Sequence, residues 1–161
     1  MGPRTVRSGS APTCPSETWG AMKDYPVSNG VPRDAGTGRR VLIIDDDDLV
    51  RQTLRRVLES VGFQVVEAAD GRQGTLLYRS DPVDLVITDL LMPVKEGFET
   101  IRELRQINAD AKIIAISGGG RAGGADFLEM AKKLGADRAI AKPFRPAELV
   151  EAVRAVLGIA P

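Results

Sequence analysis

The chain contains no histidine among its 161 residues, and this absence excludes more than any other. Within these residues no imidazole can ligate zinc, act as a general base or carry a phosphoryl group. Cysteine is nearly as scarce. The lone Cys14 cannot form an internal disulfide, which fits a reducing cytoplasm. Neither sign of charge is in excess, with 22 Lys plus Arg against 22 Asp plus Glu, so no global field draws the chain to nucleic acid or membrane. No apolar run is long enough to span a bilayer, and the N-terminus lacks a signal-peptide core.

What the sequence does have is a run of four aspartates, Asp45 to Asp48, directly after the apolar run Val41-Leu42-Ile43-Ile44. Two carboxylates about 4 Å apart repel by roughly 4 kcal/mol at an effective dielectric near 20, so such a cluster at a strand end implies a bound cation.

The chain is long enough for one domain and a tail. Residues 1–38 are rich in Gly, Pro, Ser and Thr and lack periodicity, which predicts a disordered tail or linker. Trp19 and Tyr25 lie there; partner docking is one reading of them, and a floppy extension or a misassigned start upstream of Met22 is the other. Residues 39–161 form the predicted domain. Strands are expected over Val41 to Ile44, Phe63 to Glu67, Asp84 to Thr88, Lys112 to Ser117 and Arg138 to Ala141. Helical stripes alternate with them: Val50, Leu54, Val57, Leu58 and Val61 in the first, and Phe127, Met130, Ala131 and Leu134 in the fourth. Asp47 or Asp48 can cap the first helix, Gly62 can end it, and Pro146 suits the first turn of the last. Alternating strands and helices imply a parallel sheet covered on both faces. Ligands in such sheets bind beyond the carboxyl ends of the strands, where strand order reverses. The residues at those ends are Asp45, Asp46, Asp89, Ser117 and Lys142.

Three carboxylates suit a hard divalent cation such as Mg²⁺. Lys142 supplies a compact positive charge and Ser117 a hydroxyl donor for a phosphoryl oxygen. Phosphoryl transfer needs mainly positioning and charge neutralisation, and a carboxylate can be its nucleophile. These residues therefore suit acceptance of a phosphoryl group on an aspartate.

Residues 40–158 resemble the receiver domain of bacterial two-component response regulators. The motifs are Ile43-Ile44-Asp45-Asp46, Ile87-Thr88-Asp89-Leu90-Leu91-Met92-Pro93, Ile116-Ser117-Gly118 and Lys142-Pro143-Phe144. The resemblance implies a flavodoxin-like (βα)5 fold with strand order 2-1-3-4-5. It implies Asp89 as phosphoacceptor, with Mg²⁺ held by Asp46, Asp45, Asp89 and the backbone carbonyl of Leu91. Ser117 would bind the phosphoryl group, Lys142 would bridge to Asp89 or its phosphate, and the peptide before Pro143 would be cis. The implied donor is a histidine kinase or histidine phosphotransfer protein. Output would be a downstream protein target or a relay, since no room remains after Leu157 for a DNA-binding domain. The last two helices and fifth strand would form the signalling surface and could serve for homodimerisation.

The sequence departs from the family pattern in places. Lys95-Glu96-Gly97 replaces the usual Met-Asp-Gly, and Ala139 stands where many members carry a switching aromatic residue. The loop 118–124 is unusually rich in glycine. Leu91 and Gly119 flank the expected in-line water without a side chain able to hydrogen-bond it, which predicts slow self-dephosphorylation. Three other readings compete with this one. Asp46-Asp47-Asp48-Leu49-Val50 also fits the nucleophile motif of haloacid-dehalogenase-type phosphohydrolases, but no acidic pair follows Lys142 and Asp89 would be unexplained. Gly118-x-Gly120-x-x-Gly123 matches a dinucleotide fingerprint, but Lys142-Pro143 stands where the ribose-binding acid belongs. A degenerate receiver acting as a binding module would not require the acids, hydroxyl and lysine that are all present.

Overall fold

The computed structural model describes residues 38–92, 97–118 and 124–160. The expected tail therefore lies outside the described residues except at Gly38, whose N–H donates to the Gly62 carbonyl at 2.7 Å.

The described residues alternate strictly: β1 (Arg40–Ile44), α1 (Asp48–Ser60), β2 (Gln64–Ala68), α2 (Gly71–Ser80), β3 (Leu85–Asp89), α3 (Gly97–Ile107), β4 (Ile113–Ser117), α4 (Gly124–Lys133), β5 (Arg138–Ala141) and α5 (Pro146–Leu157). The strands form one parallel sheet in the order β2-β1-β3-β4-β5, as expected. Strand boundaries moved by a residue where burial and pairing compete. Phe63 is buried but precedes the ladder, which runs instead to Ala68 opposite Ile44.

Alternation along the strands divides the core in two. Leu42 and Ile44 pack with Tyr78, Ile101, Leu104 and Ala131, under α2, α3 and α4. Val41 and Ile43 pack with Leu54, Leu58, Leu149 and Val153, under α1 and α5. Both faces are covered, so β1 beyond Arg40 and all of β3 and β4 are buried, with apolar side chains on both faces and polar ones mainly at the strand ends. Gly74 lets α2 approach β1: an added Cβ would lie 2.2 Å from Ile44 Cδ1.

Local signals set the helix ends. Asp47 accepts from the N–H groups of Leu49 and Val50 to cap α1, and Asp70 caps α2 through the Gln73 N–H. Gly62 follows α1 at φ +94°, in the left-handed region that favours glycine. Met130 departs from expectation, being 49% exposed. Phe127 and Ala131 of α4, with Leu134 just after it, form the inward stripe, and Met130 falls to one side of it. No described helix is long and apolar enough to cross a membrane.

Candidate functional site

The order β2-β1-β3 means that the chain leaves β1 toward one side and returns for β3 on the other. The carboxyl ends of β1 and β3 thus flank the switch point where parallel sheets bind ligands. Asp45 follows β1 and Asp89 ends β3.

The four aspartates separate by role. Asp45 is buried, at 2% exposure, and its Oδ1 accepts the Asp47 N–H at 2.9 Å. Asp46 is exposed at the rim. Asp47 caps α1, and Asp48 pairs with Arg51. Asp48 thus turns to a cation on its own helix and stands outside the carboxylate cluster, so the Asp46-x-Asp48 pair of the hydrolase motif is not assembled.

Asp89 is also buried, and its Oδ1 accepts the Leu91 N–H at 3.2 Å. Its backbone is held closely. Thr88 Oγ1 donates to the Asp89 carbonyl at 3.0 Å, and the Leu90 N–H donates to Ile116 at 2.9 Å. Gly97, the first residue of α3, lies against this corner, where an added Cβ would fall 2.1 Å from the Asp89 carbonyl oxygen. Only glycine permits that approach.

One carboxylate oxygen from each of Asp45, Asp46 and Asp89 lies within 4.8 Å of the others. Lys142, on the loop after β5, reaches the same place. Its Nζ is 3.3 Å from Asp45 Oδ2 and 3.4 Å from Asp89 Oδ2. The Lys142–Pro143 peptide is cis, as the resemblance implied, and the Lys142 N–H donates to the Ser117 carbonyl at 2.7 Å. Ser117 is buried at the end of β4. Leu91 stands at the rim with its side chain half exposed.

Electrostatics show what the pocket lacks. Burial raises the Asp45 carboxyl above its ordinary 3.8, and neither the Asp47 N–H nor Lys142 offsets this fully, while the Asp89 charge adds to it. Burial also disfavours the Lys142 ammonium, yet the attraction of Asp45 and Asp89 outweighs it and raises the pKa above 10.5. Both values rise, which disfavours the Asp45 charge and favours that of Lys142, because Asp45 is far more deeply buried than Lys142. Three carboxylates therefore face one ammonium, and the cluster remains short of positive charge. Hard oxygen donors in that state fit Mg²⁺.

The expected residues thus converge. Pro93, Lys95 and Glu96, Gly119 and most of the glycine-rich loop lie outside the described residues. Ala139 is half buried on β5 and packs with the cluster that includes Phe127. Two contributors were not anticipated from sequence. Gly97 is one, and its place just before the apolar helical stripe of α3 is the available signal. Arg51 donates to the Asp45 carbonyl at 2.6 Å, which its place three residues after Asp48 does not reveal.

Residues 41–154 match the family model of the response regulator receiver domain. The chain is similar to the chemotaxis protein CheY of Thermotoga maritima, at 38% identity over 120 residues, covering 74% of this chain and 98% of that protein. It is equally similar, at 38% over 118 residues, to the transcriptional regulatory protein CpxR of Klebsiella pneumoniae, covering 73% of this chain but only 49% of that protein. It thus spans almost all of one relative and about half of the other. Among solved structures, a two-component response regulator of the LuxR family from Aurantimonas superposes with a TM-score of 0.69 at 36% identity, over 74% of this chain and 85% of that one. By family model, sequence and fold together, the chain belongs to the response regulator receiver family.

Proposed function

We propose that this domain accepts a phosphoryl group on Asp89 from a phosphohistidine of a histidine kinase or histidine phosphotransfer protein, and signals by binding another protein or relaying the group. Receiver domains interact with such donors and bind Mg²⁺ at an acidic pocket. The observation that carries the proposal is the juxtaposition of Asp45, Asp46 and Asp89 within 4.8 Å, with Lys142 Nζ against Asp45 and Asp89.

An Asp89 carboxylate oxygen attacks phosphorus in line. An O–P bond forms as the N–P bond to the donor imidazole breaks, and the imidazole, already protonated on its other ring nitrogen, leaves with the bonding pair as the neutral base. Asp45, Asp46, Asp89 and the Leu91 carbonyl are the residues that would hold Mg²⁺, which supplies charge neutralisation at the phosphoryl oxygens. Lys142 keeps its proton and pairs with the phosphoryl group, and the Ser117 hydroxyl donates to another of its oxygens. The Leu91 N–H on Asp89 Oδ1 leaves Oδ2 as the oxygen facing Lys142. The domain thus acts as a phosphoacceptor in signalling rather than as a turnover enzyme. The face of α4, β5 and α5 is the proposed signalling surface and a candidate for homodimerisation. A cytoplasmic domain at 39–161, preceded by a tail at 1–38, completes the proposal.

The test incubates the full chain with Mg²⁺ and a small phosphodonor and reads intact mass. A gain of one phosphoryl group, abolished by Asp89→Asn, is expected. No gain in the wild type would favour a degenerate receiver, and steady turnover of phosphate esters a hydrolase.

A further inference from the structure

Asp46 differs from its two neighbours in the pocket. Asp45 and Asp89 each accept a backbone N–H and contact Lys142, whereas the exposed Asp46 carboxylate has no hydrogen-bond or ion-pair partner among the described residues. Its aim is therefore set by the backbone that carries it. That backbone is the peptide joining Asp45 to Asp46, and Arg51 grips it.

Arg51 Nη1 donates to the Asp45 carbonyl at 2.6 Å. Nη2 pairs with Asp48 in the first turn of α1, and Nε lies 3.7 Å from Glu67 Oε1 on β2. One rigid guanidinium thus joins the end of β1, the start of α1 and the edge strand, with 14% of its side chain exposed. A simple staple between α1 and β2 already exists. Arg55 pairs with Glu59 at 2.8 Å and with Glu67 at 2.9 Å. What Arg51 adds is the contact at the Asp45 carbonyl, one peptide away from the Asp46 Cα.

We propose that Arg51 is a positioning residue for the acidic pocket, fixing the Asp45–Asp46 peptide so that the Asp46 carboxylate converges with those of Asp45 and Asp89. The inference rests on the proposal that these three carboxylates hold Mg²⁺. Groups that orient metal ligands typically contribute about 10–100-fold in affinity. Arg51 acts through backbone and the Asp47 N–H still orients Asp45, so the low end, about tenfold, applies here.

Calorimetric Mg²⁺ titration of the full chain tests this, alongside thermal melts in EDTA, for wild type, Arg51→Met, Arg51→Lys and Arg55→Met. Arg51→Met should weaken Mg²⁺ binding about tenfold. Arg51→Lys, which keeps one donor but loses the fork, should recover part of the loss. Arg55→Met should melt lower than wild type yet bind Mg²⁺ equally well. A merely structural arginine would lower the melting temperature of Arg51→Met and leave its affinity unchanged, and that result overturns the inference. Equal weakening by Arg55→Met overturns it too, because any break in the ion-pair network would then suffice. If Arg51→Met does not fold, Arg51→Lys decides: weaker binding supports the inference, and wild-type affinity overturns it. Wild type that fails to bind Mg²⁺ removes the metal site and this inference together. Wild-type binding with an unaffected Arg51→Met removes this inference alone.

Discussion

Replacing Lys142 by methionine should move stability and metal affinity in opposite directions. In the native pocket Nζ is 3.3 Å from one carboxylate oxygen and 3.4 Å from another, which at an effective dielectric near 20 is a gross attraction of about 5 kcal/mol for each contact. The net value is smaller, because the ammonium gives up water to reach the site. Removing one partner of a fully buried pair costs about 3–5 kcal/mol, and the 26% exposure of the Lys142 side chain places this case near 3. In EDTA at pH 8, Lys142→Met should therefore lose about 3 kcal/mol, or roughly 10 °C in melting temperature. Mg²⁺ and the ammonium compete for the same oxygens, so the variant should bind Mg²⁺ more tightly than wild type. A ligand at a hundred times its dissociation constant stabilises by about 2.7 kcal/mol, enough to bring the Mg²⁺-bound variant close to the metal-free wild type. Urea denaturation with and without Mg²⁺, with calorimetric titration of both proteins, measures each quantity. Wild-type stability of the variant in EDTA, or weaker Mg²⁺ binding by it, would refute the reasoning.

Three other expectations follow from the same geometry. Gly97→Ala drives a methyl group into the backbone at Asp89 and Leu90, which cannot rotate away as a side chain could, so a loss of about 3 kcal/mol is expected. An unchanged urea midpoint would mean that α3 steps back from β3 freely. The Arg40 hydrogen bond holds the exposed Asp81 carboxyl below its ordinary 3.8. That stabilisation is present above 3.8 and is lost as pH falls through the lower folded value. Asp81→Asn should cost less than about 1 kcal/mol at pH 7, with the difference vanishing in acid; a constant difference would contradict it. Leu91→Asn, which adds a polar group at the rim, should shorten the lifetime of phosphorylated protein measured by intact mass, and an unchanged lifetime would remove Leu91 from the account.

The fold was legible because burial and hydrogen bonding are written locally in this chain. Ile113-Ile114-Ala115-Ile116 has no polar face, so it belongs in a sheet covered on both sides, and Asp47 and Gly62 mark the two ends of α1. The site was legible for a different reason. Carboxylates, a hydroxyl and a lysine each followed an apolar strand, and parallel sheets bring such ends together. Three details required coordinates. Met130 shares the stripe of Phe127 by spacing, but it falls to one side of the face that Phe127 and Ala131 turn to the core. The tight seat of Gly97 is a contact between backbones, to which no side chain contributes. Arg51 acts on a carbonyl oxygen, an atom that every residue carries and no sequence pattern singles out.

The two-sided core has a consequence for the chemistry at its edge. Val41 and Ile43 belong to one cluster and Leu42 and Ile44 to the other, so a slip of β1 by one residue would send every side chain of the strand into the wrong half of the interior. Such a slip would also carry Asp45 along the strand by about 3.3 Å. That distance is most of the 4.8 Å within which the three carboxylate oxygens gather. The greasy interior therefore works as a gauge: by refusing any other register, it measures out where the acids stand.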